Sequence, residues 1–130
     1  LSIHGSGSII TTNTFDSCGR VDLSISGSGT IKAGIGAATE VDASISGSGE
    51  VYLTGSAVRN EIHISGAGDI HAYDFITRHS SVKISGSGDC ELTADSTLNV
   101  TVSGSGDVYF RGRPLVTSDI SGSGAVHNAN

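Results

Sequence analysis

Seven copies of one short phrase run through this 130-residue chain: an apolar residue, a polar residue, glycine, a small residue, and glycine again. They occupy residues 3–7, 25–29, 45–49, 64–68, 84–88, 102–106 and 120–124. Their first glycines are Gly5, Gly27, Gly47, Gly66, Gly86, Gly104 and Gly122, with spacings of 22, 20, 19, 20, 18 and 18 residues. A period near twenty, carried end to end, is the mark of stacked structural repeats. A β-sandwich or barrel also spaces strands with glycine turns. It has no reason to reuse one corner sequence at every interval.

The flanks say what each repeat is made of. Before the phrase, apolar and polar residues alternate, as in Leu23-Ser24-Ile25-Ser26, Ile62-His63-Ile64-Ser65 and Val100-Thr101-Val102-Ser103. After it the alternation resumes, as in Val51-Tyr52-Leu53, Ile70-His71-Ala72 and Val108-Tyr109-Phe110. Period two is the signature of a strand with one buried face. Each repeat therefore reads as strand, Gly-Ser-Gly corner, strand and a variable return of roughly ten residues. Apolar points in the returns, Phe15, Ile35, Val58, Phe75, Ile76, Leu98 and Leu115, are expected to form a third wall. The single proline, Pro114, falls in a return, where a missing N–H does least harm.

One repeat cannot bury its apolar residues alone, but stacked copies can. The expected fold is all-β: a right-handed parallel β-solenoid of about seven rungs, ~20 residues each. At roughly 4.8 Å per rung the rod would be on the order of 34 Å long. Length fits a single domain, residues 1–130, read as part of a longer precursor because the chain starts at Leu1 inside the repeat array. Fourteen of the 19 glycines lie in the phrases, so glycine here is positional rather than a flexible-linker composition.

Charge and composition narrow the function. The net charge is −6, and the 7 Lys and Arg form no basic stripe, which argues against a nucleic-acid partner. No run reaches the roughly 18 apolar residues of a spanning helix, so no membrane span is expected in this segment. Cys18 and Cys90 fall about three rungs apart, roughly 14 Å, too far for a disulfide. Cys90 takes a position held elsewhere by Val51, Ile70 and Val108 and reads as a small core hydrophobe.

Two outward columns are the candidate functional features. Immediately after the corner stand Glu50, Asp69, Asp89 and Asp107, with Ser8, Thr30 and Ala125 in the other copies. Carboxylates at rung spacing repel, so either a hard cation such as Ca²⁺ or capping of corner N–H groups must compensate them. Capping is the expectation, with these acids as the metal-site candidates. Two residues further on stand Ile10, Lys32, Tyr52, His71, Glu91, Tyr109 and His127. Tyr52, His71 and Tyr109 are the candidate binding surface, for sugar rings or a partner protein. The middle serines of the corners form a further hydroxyl column, broken by Ala67. No histidine pair has metal-ligand spacing, and the short returns cannot wall a catalytic cleft. No cofactor is expected.

The variants at residues 64–70, 84–90 and 102–108 resemble the head GIN domain family of autotransporter adhesins. The resemblance covers essentially the whole chain through its seven phrases. It implies a β-helical body, secreted or lipid-anchored, at a Bacteroidetes-type envelope, and it carries no motif-defined functional residues. Together these readings point to a non-catalytic extracellular structural or adhesion module at a bacterial cell surface. Its expected partners are further copies end to end, another envelope protein or a surface glycan. The alternatives are a glycan- or lipid-binding envelope protein and, in another class, a polysaccharide-acting β-helix enzyme.

Overall fold

The computed structural model describes residues 2–10 and 18–128. Eight strands form one parallel sheet wound into a solenoid: β1 (Ser2–Ile10), β2 (Cys18–Gly47), β3 (Glu50–Gly66), β4 (Asp69–Gly86), β5 (Cys90–Gly104), β6 (Asp107–Arg111), β7 (Leu115–Gly122) and β8 (Ala125–Asn128). Each pairs with its equivalent one turn along: β1 with β2, β2 with β3, β3 with β4 and β4 with β5. The last turn is split, so that β5 pairs with both β6 and β7, and β6 with β8. The solenoid has about six turns rather than the seven rungs counted from the phrases. The phrases are corners, and seven corners enclose six intervals.

The inward columns follow the alternation. Ile45, Ile64, Ile84, Val102 and Ile120 are in register, and Ile45, Ile64, Ile84 and Val102 are no more than 2% exposed. Val51, Ile70, Cys90 and Val108 make a second buried column after the corner. Each fully buried Ile or Leu contributes about 1.5–3 kcal/mol. Cys90 is free, as its place in this column demands, and burial pushes its thiol far above the usual range. The Cys18 side chain lies outside the described residues. Among the described residues no helix is long and apolar enough to cross a membrane.

The corner is built by backbone rather than by serine. The middle residue's N–H donates to the first glycine carbonyl of the preceding turn: Ser48 to Gly27, Ala67 to Gly47, Ser87 to Gly66 and Ser105 to Gly86, at 2.9–3.0 Å. These middle side chains are exposed, which is why Ala67 serves as well as serine. The glycines are not interchangeable in this way. Gly86 has φ +137°, and a Cβ there would lie 2.2 Å from the Gly66 carbonyl oxygen. A Cβ on Gly88 would meet the Gly68 oxygen at 2.1 Å and Ile64 Cγ2 at 2.7 Å. The first glycine is fixed by conformation and proximity, the second by proximity.

The return wall differs from expectation. Phe75 and Leu98 are fully buried, as anticipated, but Val58, Ile76 and Leu115 are 40%, 48% and 72% exposed. Phe15 and the Ile35 side chain lie outside the described residues. Small or polar side chains close much of the wall: Ala38, Ala57, Thr77 and Ala94 form one column, and Asn60 and Ser80 stand between Val41 and Leu98 in the next. The ladder shifts register between Ile35 and Ala38, Tyr52 and Gly55, Ala72 and Ile76, and Thr77 and His79. All four shifts fall where the returns change length, and they upset the strict alternation on which the sequence reading relied. Thr77 Oγ1 and Ser80 Oγ hydrogen-bond at 2.5 Å inside the wall. Among the described residues, Asn60, 1% exposed, has no hydrogen-bond partner for its carboxamide nitrogen or oxygen.

Candidate functional site

The parallel register brings both outward columns onto one sheet face. Ile10 pairs with Lys32, Lys32 with Tyr52, Tyr52 with His71, His71 with Glu91, Glu91 with Tyr109 and Tyr109 with His127. Beside it runs the acidic column, in which Thr30 pairs with Glu50, Glu50 with Asp69 and Asp107 with Ala125. Strand alternation positions Tyr52, His71, Glu91 and Tyr109, and the acids beside them, outward over the buried Val51, Ile70, Cys90 and Val108.

The acids cap the ladder. Asp69 Oδ1 accepts from the Asp89 N–H at 3.2 Å, and Asp89 Oδ1 accepts from the Asp107 N–H at 3.3 Å. Each carboxylate thus serves an amide of the next turn. Glu50 acts differently: its Oε2 accepts the Tyr52 phenol at 2.8 Å. That hydrogen bond, with desolvation and the charges of Glu50 and Asp69, raises the Tyr52 ionisation above the ordinary phenol range. Desolvation, then Asp107, Asp89 and Glu91, does the same for Tyr109. Among the described residues no three His, Cys, Asp or Glu side chains converge as a metal-holding group.

The rings lie along the axis, face to face. Tyr52 and His71 stack at 4.8 Å and 16°, and Tyr109 and His127 at 4.9 Å and 17°. Lys32 Nζ lies 5.5 Å from the centre of the Tyr52 ring, on the turn before it. His71 Nδ1 is 3.5 Å from Glu91, and His127 Nε2 is 4.0 Å from Asp107. Ring faces are therefore spent largely on one another, and the ladder presents edges: phenol hydroxyls, imidazole nitrogens and carboxylates. This mutual stacking is what the sequence reading missed. Its signal was present, since Tyr52 and His71 are separated by the same 19 residues as Gly47 and Gly66. A further aromatic lies next to this face, where the Arg111 guanidinium sits 4.1 Å over the Tyr73 ring.

The face built from the strands that precede the corners is organised otherwise. Arg20 pairs with Asp22 at 3.0 Å and with Asp42, and Arg59 lies 3.9 Å from Glu40. Three carboxylates of this face, Asp22, Glu40 and Asp42, are thus met by guanidinium groups of the chain itself.

A parallel sheet of about six turns carrying an in-register ladder of polar and aromatic side chains places the chain in the class of β-solenoid repeat proteins. The chain belongs to the family described as putative auto-transporter adhesin, head GIN domain, which it matches over residues 1–114. Three solved structures share the fold, each described as a putative adhesin. The protein from Parabacteroides distasonis is 27% identical, with a TM-score of 0.90, over 98% of this chain and 58% of its own. Those from Bacteroides fragilis and Parabacteroides merdae are 23% and 20% identical, with TM-scores of 0.80 and 0.81. They align over 98% and 99% of this chain and 58% and 54% of their own. The chain thus spans less than two thirds of these relatives. A comparison with curated proteins found no match.

Proposed function

We propose that this chain is a non-catalytic adhesion module displayed at a bacterial cell surface or envelope. The observation that carries this reading is the acid and aromatic ladder, a periodic row of hydrogen-bonding edges held outward on a rigid sheet face. Membership of an adhesin-described family supports it. Tyr52, His71 and Tyr109 are the central contact residues in this reading. Because their ring faces are largely engaged, a ligand is met by hydrogen bonds and charge at ring edges more than by stacking.

The test is retention of the purified domain on immobilised bacterial envelopes, host matrix proteins and a glycan array. Saturable retention that falls when Tyr52 and Tyr109 are both changed to Ala is the expected result. Absence of retention on all three surfaces would refute adhesion.

A further inference from the structure

The two outward strand faces of this solenoid treat their carboxylates differently. On the face preceding the corners, Asp22, Asp42 and Glu40 are engaged by Arg20 and Arg59. On the ladder face, five carboxylates, Glu50, Asp69, Asp89, Glu91 and Asp107, share the surface with two cations, Lys32 and Arg111, each of which lies over a tyrosine ring. Their hydrogen-bond partners there are backbone amides and a phenol, with imidazoles 3.5 Å from Glu91 and 4.0 Å from Asp107; none of these partners is a guanidinium or ammonium group. Five of the 13 acidic residues of the chain stand on this face, as many as on the face preceding the corners, so the two faces differ in how their carboxylates are partnered rather than in how many they hold.

Aromatic rings among these acids add a second preference. The chain's own cations show which chemistry the rings accept: Lys32 lies over Tyr52, and Arg111 lies over Tyr73 at the margin of the face. Carboxylates offer acceptors to ammonium and guanidinium donors, and the tyrosines add their hydroxyl edges as further acceptors. Such a face repels anionic polymers and gathers cationic ones.

Resting on the adhesion reading above, we propose that the ladder face docks a lysine- or arginine-rich segment of a partner polypeptide. The segment lies across Tyr52, His71, Glu91 and Tyr109, with its cations distributed among the flanking acids. Docking of this kind is electrostatically steered and weakens as salt rises.

The test uses fluorescein-labelled octalysine as probe, with a neutral Gly/Ser peptide of the same length as reference, read by anisotropy. Octalysine is expected to bind saturably and the neutral peptide not to bind. Changing Glu50→Gln and Glu91→Gln together removes two charges without touching the aspartates that cap the corners. This variant is expected to lose about tenfold in affinity at low salt, from two partly screened ion contacts. Changing Glu61→Gln and Asp119→Asn removes the same charge from the other face and is expected to leave affinity nearly unchanged. Equal losses in the two variants would show that net charge, not this face, binds the peptide, and would overturn the proposal. So would absence of saturable binding by the unmodified protein. Should the double variant unfold, Glu91→Gln alone carries the comparison.

Adherence separates this proposal from the reading beneath it. If the domain adheres to a surface and neither excess octalysine nor Glu50→Gln with Glu91→Gln reduces adherence, the basic partner is wrong and adhesion stands. If octalysine binds this face but the domain adheres to nothing, the docking chemistry stands and adhesion fails.

Discussion

Replacing Gly86 with alanine tests the corner directly. Two costs are expected. The backbone there holds φ at +137°, a conformation that costs a residue bearing a Cβ about 1–3 kcal/mol. The new methyl would also stand 2.2 Å from the Gly66 carbonyl oxygen. Relieving that overlap moves one turn against the next, and overpacking of this kind typically costs about 1–3 kcal/mol. The sum, about 2–6 kcal/mol, is a large share of the roughly 5–15 kcal/mol that holds a domain folded. At about 4 °C per kcal/mol for a chain of this size, the melting temperature should fall by ~8–24 °C. Gly88→Ala isolates the steric part, since no positive φ accompanies its 2.1 Å approach to the Gly68 oxygen. It should fall between Gly86→Ala and Gly19→Ala. Gly19 has nothing within 4 Å of a built Cβ, so alanine there should be neutral or stabilise by about 0.4–1 kcal/mol. Urea unfolding followed by far-UV circular dichroism, with thermal melts alongside, ranks the three. A Gly86→Ala protein as stable as Gly19→Ala would refute the reasoning.

Three other outcomes follow from the interior and the ladder. Asn60→Val places an aliphatic side chain in register with Val41 and removes an unpaired buried carboxamide, so unfolding free energy should rise by about 1–3 kcal/mol. Cys90 should resist alkylation at pH 8 in the folded protein and react once urea unfolds it, with the site mapped by mass spectrometry; reaction at the native rate of a free thiol would contradict its burial. Tyr52, Tyr73 and Tyr109, all three tyrosines of the chain, should ionise above free tyrosine in an ultraviolet absorbance titration, and Glu50→Gln should bring Tyr52 back down. Their neutral forms are favoured by folding. The linked stability is therefore full below the ordinary phenol range and is lost as pH rises through the higher folded values.

The repeat made the solenoid legible because stacking forces equivalent residues into columns. Tyr52 and His71 fell correctly into one column by counting alone. The capping role of Asp69 and Asp89 was also readable, since a carboxylate next to a tight corner seeks an amide. The return wall resisted reading for a physical reason. Its length varies, and each change is absorbed by a register shift, so alternation no longer tells inside from outside. Ile76 looked like core and is exposed, while Thr77, beside it, is buried. Asn60 would have been assigned outward by its chemistry and is inside. The orientation of the rings was also beyond a count of residues, because columns say which side chains are neighbours and not which surfaces they turn to each other.

That every register shift described above lies in the return wall has a consequence for length. The corners keep strict step while the spacing of their glycines drifts from 22 to 18 residues. Slack is taken up on one side only, so a whole turn can be duplicated or excised without retuning its neighbours. The reach of such a rod is quantised: a gene gaining one repeat of roughly twenty codons would extend its product by one strand spacing, ~4.8 Å, and lengthen the ladder by one residue.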